Sequence, residues 1–201
     1  MYRILFLVPL FILASCSPGD RKSQFEEKTT SSKALPMTAS SALDSAITRI
    51  LDAYDTLHDA LVEADTTASR AAAIRLVAVA DSMDTKSLGL DTLVRATIDE
   101  FRGDISAEAQ GLIGEHSITE QRRAFSMITE NLHPLLQASK FSYQTVYQIE
   151  CPMAFNDNEA ASWLSRSRDV VNPYLGKKHP KYAGGMIHCG EVKDSIAYRK
   201  Q

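Results

Sequence analysis

The chain of 201 residues has room for one domain, or one domain with an appendage. Its net charge of −3 supplies no basic surface of the kind that draws nucleic acid, so no nucleic-acid partner is expected. With 44% hydrophobic and 23% charged residues, the composition is that of a small globular protein with a core to bury.

Arg3 and the apolar run Ile4 to Ala14 open the chain as a targeting segment, residues 1–15. The run is shorter than the ~18 apolar residues that a spanning helix needs. It closes on Leu13-Ala14-Ser15-Cys16, which resembles the lipobox of bacterial lipoproteins. In that class the chain is cut before the cysteine, whose thiol carries a diacylglycerol and whose amine is acylated. The resemblance implies that Cys16 is the lipidated first residue of the mature chain and that the protein reaches the membrane through it. An ordinary secretion signal with a stray cysteine is the alternative. Acyl chains anchor by about 0.8 kcal/mol per buried methylene. Ser17 stands after the cysteine where an aspartate would mark inner-membrane retention. By resemblance to Gram-negative lipoproteins this implies an outer-membrane lipoprotein facing the periplasm, a compartment where disulfides persist. Residues 16–41, rich in Ser, Thr, Lys and Glu and carrying Pro18 and Pro36, read as a flexible tether.

Residues 42–140 read as a four-helix bundle. Leu43, Ile47, Ile50, Leu51, Tyr54, Leu57, Leu61 and Val62 recur at intervals of three and four and make one apolar stripe, with Asp44, Asp52, Asp55, Asp59 and Glu63 largely outside it. A second helix is expected from about Thr67 to Met83, with Ala72, Leu76, Val79, Ala80 and Met83 inward. Asp91 reads as the N-cap of a third, in which Val94, Ile98, Phe101, Ile105 and Leu112 keep the period while Gly103 and Gly111 weaken it. Ser117 and Glu120 form a capping box at the start of the fourth. There Ala124, Phe125, Ile128, Leu132, Leu135 and Leu136 face inward, and Pro134 is expected to bend or restart the helix at His133. Short connections make the bundle antiparallel. His58 and His116 are read as bystanders and Met83 and Met127 as packing residues.

Residues 141–201 change character, to a small two-stranded, loop-rich α+β module packed on the bundle. The whole is thus mostly α. Tyr143 to Glu150 alternate with a period of two, which carries Cys151 onto the face of Tyr147 and Ile149 before Pro152 ends regular pairing. A short helix containing Trp163 is expected over Glu159 to Ser165. Asn172-Pro173-Tyr174 with Gly176 marks a turn, and Gly184-Gly185 precedes a second strand over Met186 to Ile196.

Cys151-Pro152-Met153-Ala154, Trp163-Leu164-Ser165, Asn172-Pro173-Tyr174 with Gly176, and Met186 with Cys189-Gly190-Glu191-Val192 occur in this order. In that order they resemble domain-of-unknown-function family 3347. Its members look like Bacteroidetes envelope lipoproteins, or are fused to the periplasmic adaptors of heavy-metal efflux pumps. The resemblance implies an efflux adaptor as a partner and a soft metal as cargo. A looser likeness, confined to Cys151 to Met153 and Cys189-Gly190, is to small heavy-metal-binding domains. The chain lacks their His-Pro after the methionine and has one cysteine, Cys189, in the second of the two motifs.

Thiolates and thioethers prefer Cu(I), so Cys151, Met153, Met186 and Cys189, with His188 as a further donor, are the candidate ligands for Cu(I) or Ag(I). In a strictly extended strand Met186 and His188 would point away from Cys189, so three ligands fit better than five. The alternative is a Cys151–Cys189 disulfide in a non-catalytic envelope interaction module, contributing about 4 kcal/mol on the chain-entropy model. Trp163, Tyr174 and Tyr182 are then candidate docking aromatics, with core packing as the competing use. Cys151 beside His179 or His188 would pair a nucleophile with a base. No activating motif surrounds it, and no enzyme is expected.

Overall fold

The computed structural model describes the backbone of residues 37–198 and the side chains of residues 41–198. The targeting segment, Cys16 and most of the proposed tether lie outside the described residues. Four helices, α1 (Met37–Val62), α2 (Thr66–Asp81), α3 (Thr92–Gly114) and α4 (Ile118–Ala138), precede three strands, β1 (Val146–Phe155), β2 (Glu159–Ser165) and β3 (Glu191–Ile196).

The helices form a bundle in which each packs mainly on its neighbours in sequence. The α1 stripe from Leu43 to Leu61 is buried throughout and meets Leu76, Ile98, Ile105, Leu112, Phe125, Ile128, Leu132 and Leu135 in one core. The helix starts are set by side-chain acceptors. Asp65 takes the Thr67 and Ala68 N–H groups at 3.0 and 2.9 Å, and Asp91 takes that of Leu93 at 2.9 Å. Ser117 caps α4 by accepting from the Thr119 N–H at 3.2 Å. The helix then runs through Pro134 to Ala138 without the restart that proline can impose. Asp44 is no solvent-face carboxylate either. It is buried and accepts from the Ser142 N–H and hydroxyl at 3.3 and 3.0 Å, tying α1 to the lead-in of β1.

The C-terminal module is a three-stranded antiparallel sheet of order β2-β1-β3, one strand more than the alternation suggested. The stretch Glu159–Ser165, expected as a helix, is β2. Asn156 and Asp157, both with left-handed φ (53° and 64°), turn the chain back, and Ile149 pairs with Trp163. Two consecutive left-handed residues give the mirror-image turn whose twist suits a hairpin. Pro152 does not end β1. A register shift between Cys151 and Phe155 carries the strand past the missing N–H. The residues expected to begin the last strand, Met186 to Cys189, are a turn, and β3 starts at Glu191 as one edge of the open sheet.

The module is pinned to the bundle by polar ties that the sheet could not supply alone. The Tyr54 hydroxyl on α1 pairs with Thr129 on α4 at 2.7 Å and accepts the Leu164 N–H of β2 at 3.0 Å. Arg166 holds Asp52 and Asp55 of α1 at 2.5 and 2.9 Å. Buried Arg122 donates to the Leu61 carbonyl at 3.0 Å, satisfying an end group of α1, while the Lys177 N–H takes the Val62 carbonyl at 2.8 Å. Gly176 passes through this junction at φ 55°, where a Cβ would come within 2.6 Å of Arg122 and 2.7 Å of the Val62 oxygen.

Candidate functional site

Cys151 lies on the central strand and is fully buried. Glu150 pairs with Glu191 and Ile149 with Val192, so the chain entering β3 crosses the sheet beside Cys151. Cys189 stands two residues before that pairing, on a turn closed by its N–H to the Met186 carbonyl at 3.0 Å. The outcome is a pair of free thiols on adjoining segments, Cys151 enclosed and Cys189 partly exposed. Burial pushes the Cys189 thiol up to about 12, and its proximity to Cys151 acts in the same direction. Cys189 therefore keeps its proton at neutral pH.

Asn172 builds this arrangement. Its side-chain carbonyl accepts the Tyr174 and Leu175 N–H groups at 2.8 and 2.9 Å, closing the Asn-Pro-Tyr turn on itself. Its amide donates to the Cys189 carbonyl at 2.7 Å, and its own N–H donates to Ile187 at 2.8 Å. The side chain is wholly buried, and its two bonds within the turn are made away from water, while the bond to Cys189 is partly buried. Gly190 (φ 147°) then brings the chain against Trp163, whose ring would lie 2.7 Å from a Cβ there. Only glycine lets the backbone lie this flat on an indole and still reach β3.

The aromatics weighed for docking divide. Trp163 and Tyr174 are interior, 0% and 1% exposed, and present no face to a partner. Tyr174 donates its hydroxyl to the Ser162 carbonyl and sits among Phe125, Phe155 and Trp163 with ring centroids 5.2 to 6.1 Å away. Its burial raises its hydroxyl well above the ordinary tyrosine range. Tyr182 alone is partly exposed. It stacks on His179 at 4.9 Å and donates to Asp157 at 2.6 Å.

The remaining ligand candidates are less closely gathered. Met153 and Met186 are partly buried and pack against the core, while His188 is exposed with its ring Nδ1 2.7 Å from the Val170 carbonyl. Among the described residues no group of three or more His, Cys, Asp or Glu side chains is placed to hold a metal ion. His58, read as a bystander, bridges α1 to the loop before the turn through its Nε2 and the Val171 carbonyl at 2.9 Å. The sequence pattern marks His58 as a bystander and Asn172 only as part of a turn motif, and assigns neither a role at the site. The one signal for Asn172 was its place ahead of proline in a turn.

The molecule is therefore a four-helix bundle that carries a small open sheet with a vicinal thiol pair. Residues 50–144 match the model of the family described as Protein of unknown function (DUF3347), and a domain of this kind is present over that stretch. The match covers the bundle from within α1 to the lead-in of β1, and both cysteines lie beyond it. No curated protein and no solved structure matches the chain.

Proposed function

We propose that the protein is a lipid-anchored, periplasm-facing component of the bacterial envelope that binds a soft cation, Cu(I) or Ag(I), and serves heavy-metal efflux as a carrier or accessory. The observation that carries this reading is the Cys151–Cys189 contact, two thiols far apart in sequence and free beside each other. Two sulfurs with no group of three His, Cys, Asp or Glu donors around them among the described residues fit a soft monovalent ion better than zinc, which takes four ligands in structural sites. Cys151 and Cys189 would hold the ion, with Met153 and Met186 as supplementary thioethers and His188 as a further donor once it leaves Val170. The bound cation would stabilise the Cys189 thiolate, which the site otherwise keeps protonated. Anchoring rests on Leu13 to Cys16, and the efflux adaptor as partner rests on the resemblance carried by Cys151 to Val192. The protein performs no catalysis in this reading.

The test is an anaerobic Cu(I) competition titration of the full chain carrying Cys16→Ser, in detergent with reduced thiols. Uptake of one ion that disappears in Cys151→Ser supports the site, and replacing Met153 and Met186 by leucine reports whether thioethers add affinity. No uptake by the reduced chain overturns it.

A second reading is favoured by the complete burial of Cys151, an enclosed position suited to a structural disulfide in an envelope interaction module. It expects a lower melting temperature on reduction and no metal uptake.

A further inference from the structure

The two cysteines are not equivalent, and the difference lies in the architecture. Cys151 is enclosed on the central strand under the chain that leads into β3, while Cys189 is partly exposed at the end of a run of turns. That run is closed by hydrogen bonds from Gly185 to Tyr182, Ile187 to Gly184 and Cys189 to Met186, at 2.8, 3.2 and 3.0 Å. It is tied to the rest of the module through Asn172, Gly190, the Tyr182–Asp157 hydrogen bond and the His188–Val170 hydrogen bond. An outside reagent therefore meets Cys189 first, and Cys151 is within reach of whatever is attached there.

We infer that Cys189 is a site of thiol–disulfide exchange with external disulfides, low-molecular-weight or protein-borne, and that Cys151 is its resolving thiol. In the first step, slow because the site holds Cys189 protonated, the Cys189 sulfur gives up its proton and bonds to one sulfur of the external disulfide. The external S–S bond breaks, and the departing thiolate takes that proton. In the second step the Cys151 sulfur, losing its proton, bonds to the Cys189 sulfur and expels the second external thiolate, which is protonated in turn. Two protein thiols are oxidised to one Cys151–Cys189 disulfide, and one external disulfide is reduced to two thiols. The disulfide removes both candidate metal ligands, so the oxidised chain is closed to the cation. That last consequence rests on the metal-binding reading above, whereas the exchange itself does not.

The experiment treats the reduced full chain carrying Cys16→Ser with oxidised glutathione and follows it by intact-mass and peptide mapping. In the otherwise unaltered chain the first adduct maps to Cys189 and then gives way to the internal disulfide. In Cys151→Ser the adduct at Cys189 persists. In Cys189→Ser modification of Cys151 is slower by about tenfold or more, as its enclosure requires. A first adduct on Cys151 overturns the inference. So does an adduct on Cys189 that never closes. Because the order of adducts is read in the chain with both cysteines, the result stands even if a variant folds poorly. Cu(I) titration of the reduced and the pre-oxidised chain then separates the two readings. Exchange without uptake by the reduced chain removes the metal site alone. Uptake without exchange removes the switch alone.

Discussion

The side-chain amide of Asn172 reaches the backbone carbonyl of Cys189 at 2.7 Å, across seventeen residues of chain. One buried side chain thereby closes a turn and helps to fix the position of Cys189. Asn172→Ala leaves the Tyr174 and Leu175 N–H groups and the Cys189 carbonyl without their partner, a cost on the order of 2–4 kcal/mol in a urea unfolding curve. Asn172→Asp keeps the acceptor for the turn but sets a carboxylate against the Cys189 carbonyl. Alkylation of Cys189 should then be faster than in the parent chain, and an unchanged rate would show that the loop is held by other contacts.

Gly190→Ala tests the close approach to Trp163. At φ 147°, with a ring atom 2.7 Å from the new methyl, the substitution should cost about 1–3 kcal/mol of backbone strain and contact. Trp163 is the one tryptophan of the chain. Its emission should shift to longer wavelength as the ring is pushed toward solvent, and emission unchanged from the parent would contradict the placement.

Tyr54→Phe removes a hydroxyl that serves α1, α4 and β2 together. The Leu164 N–H is left buried without an acceptor, at a cost of about 1–3 kcal/mol. Amide exchange at Leu164 should accelerate by more than exchange at Ile149, on the neighbouring strand.

Asp55 has its carboxyl raised above the ordinary 3.8, mainly by burial, while Arg166 pulls the other way. The folded chain therefore binds this proton more tightly than the unfolded chain does. The stabilising contribution is fully present below 3.8 and is lost as pH rises through the raised folded value. Unfolding free energies of the parent and Asp55→Asn, measured against pH, should differ in one direction. The variant gains relative to the parent as pH is raised across that window and holds its gain above it. A difference that is flat or reversed would refute the assignment.

The bundle was legible because a period of 3.6 is repeated many times. Leu43 through Leu61 gave one face, and Asp91 and Ser117 stood at the caps the structure uses. The sheet was harder to read because each strand is short and its partners decide it. Glu159 to Ser165 is composed of acceptable helix formers, yet pairing with β1 imposes an extended chain on them. The hairpin signal lay just outside, at Asn156 and Asp157. The strand expected from Met186 was lost to turns, with Ala183 and Gly184 both at positive φ. As for the site, sequence offered Cys151 and Cys189 as partners without deciding their chemistry. Asn172 stayed hidden because what it binds is backbone, and backbone carbonyls leave no mark in a sequence.

One edge of the sheet is occupied by β3, where Glu191, Lys193, Asp194 and Ser195 are exposed and Ile196 is buried. A strand with unpaired backbone groups is a template on which another copy could grow. Lys193, bound to Glu191 and close to Glu150, keeps this rim charged in both signs. A second β3 laid alongside would have to strip water from all of these groups at once. The six residues that follow the thiol loop thus discourage the chains from stitching themselves into fibres.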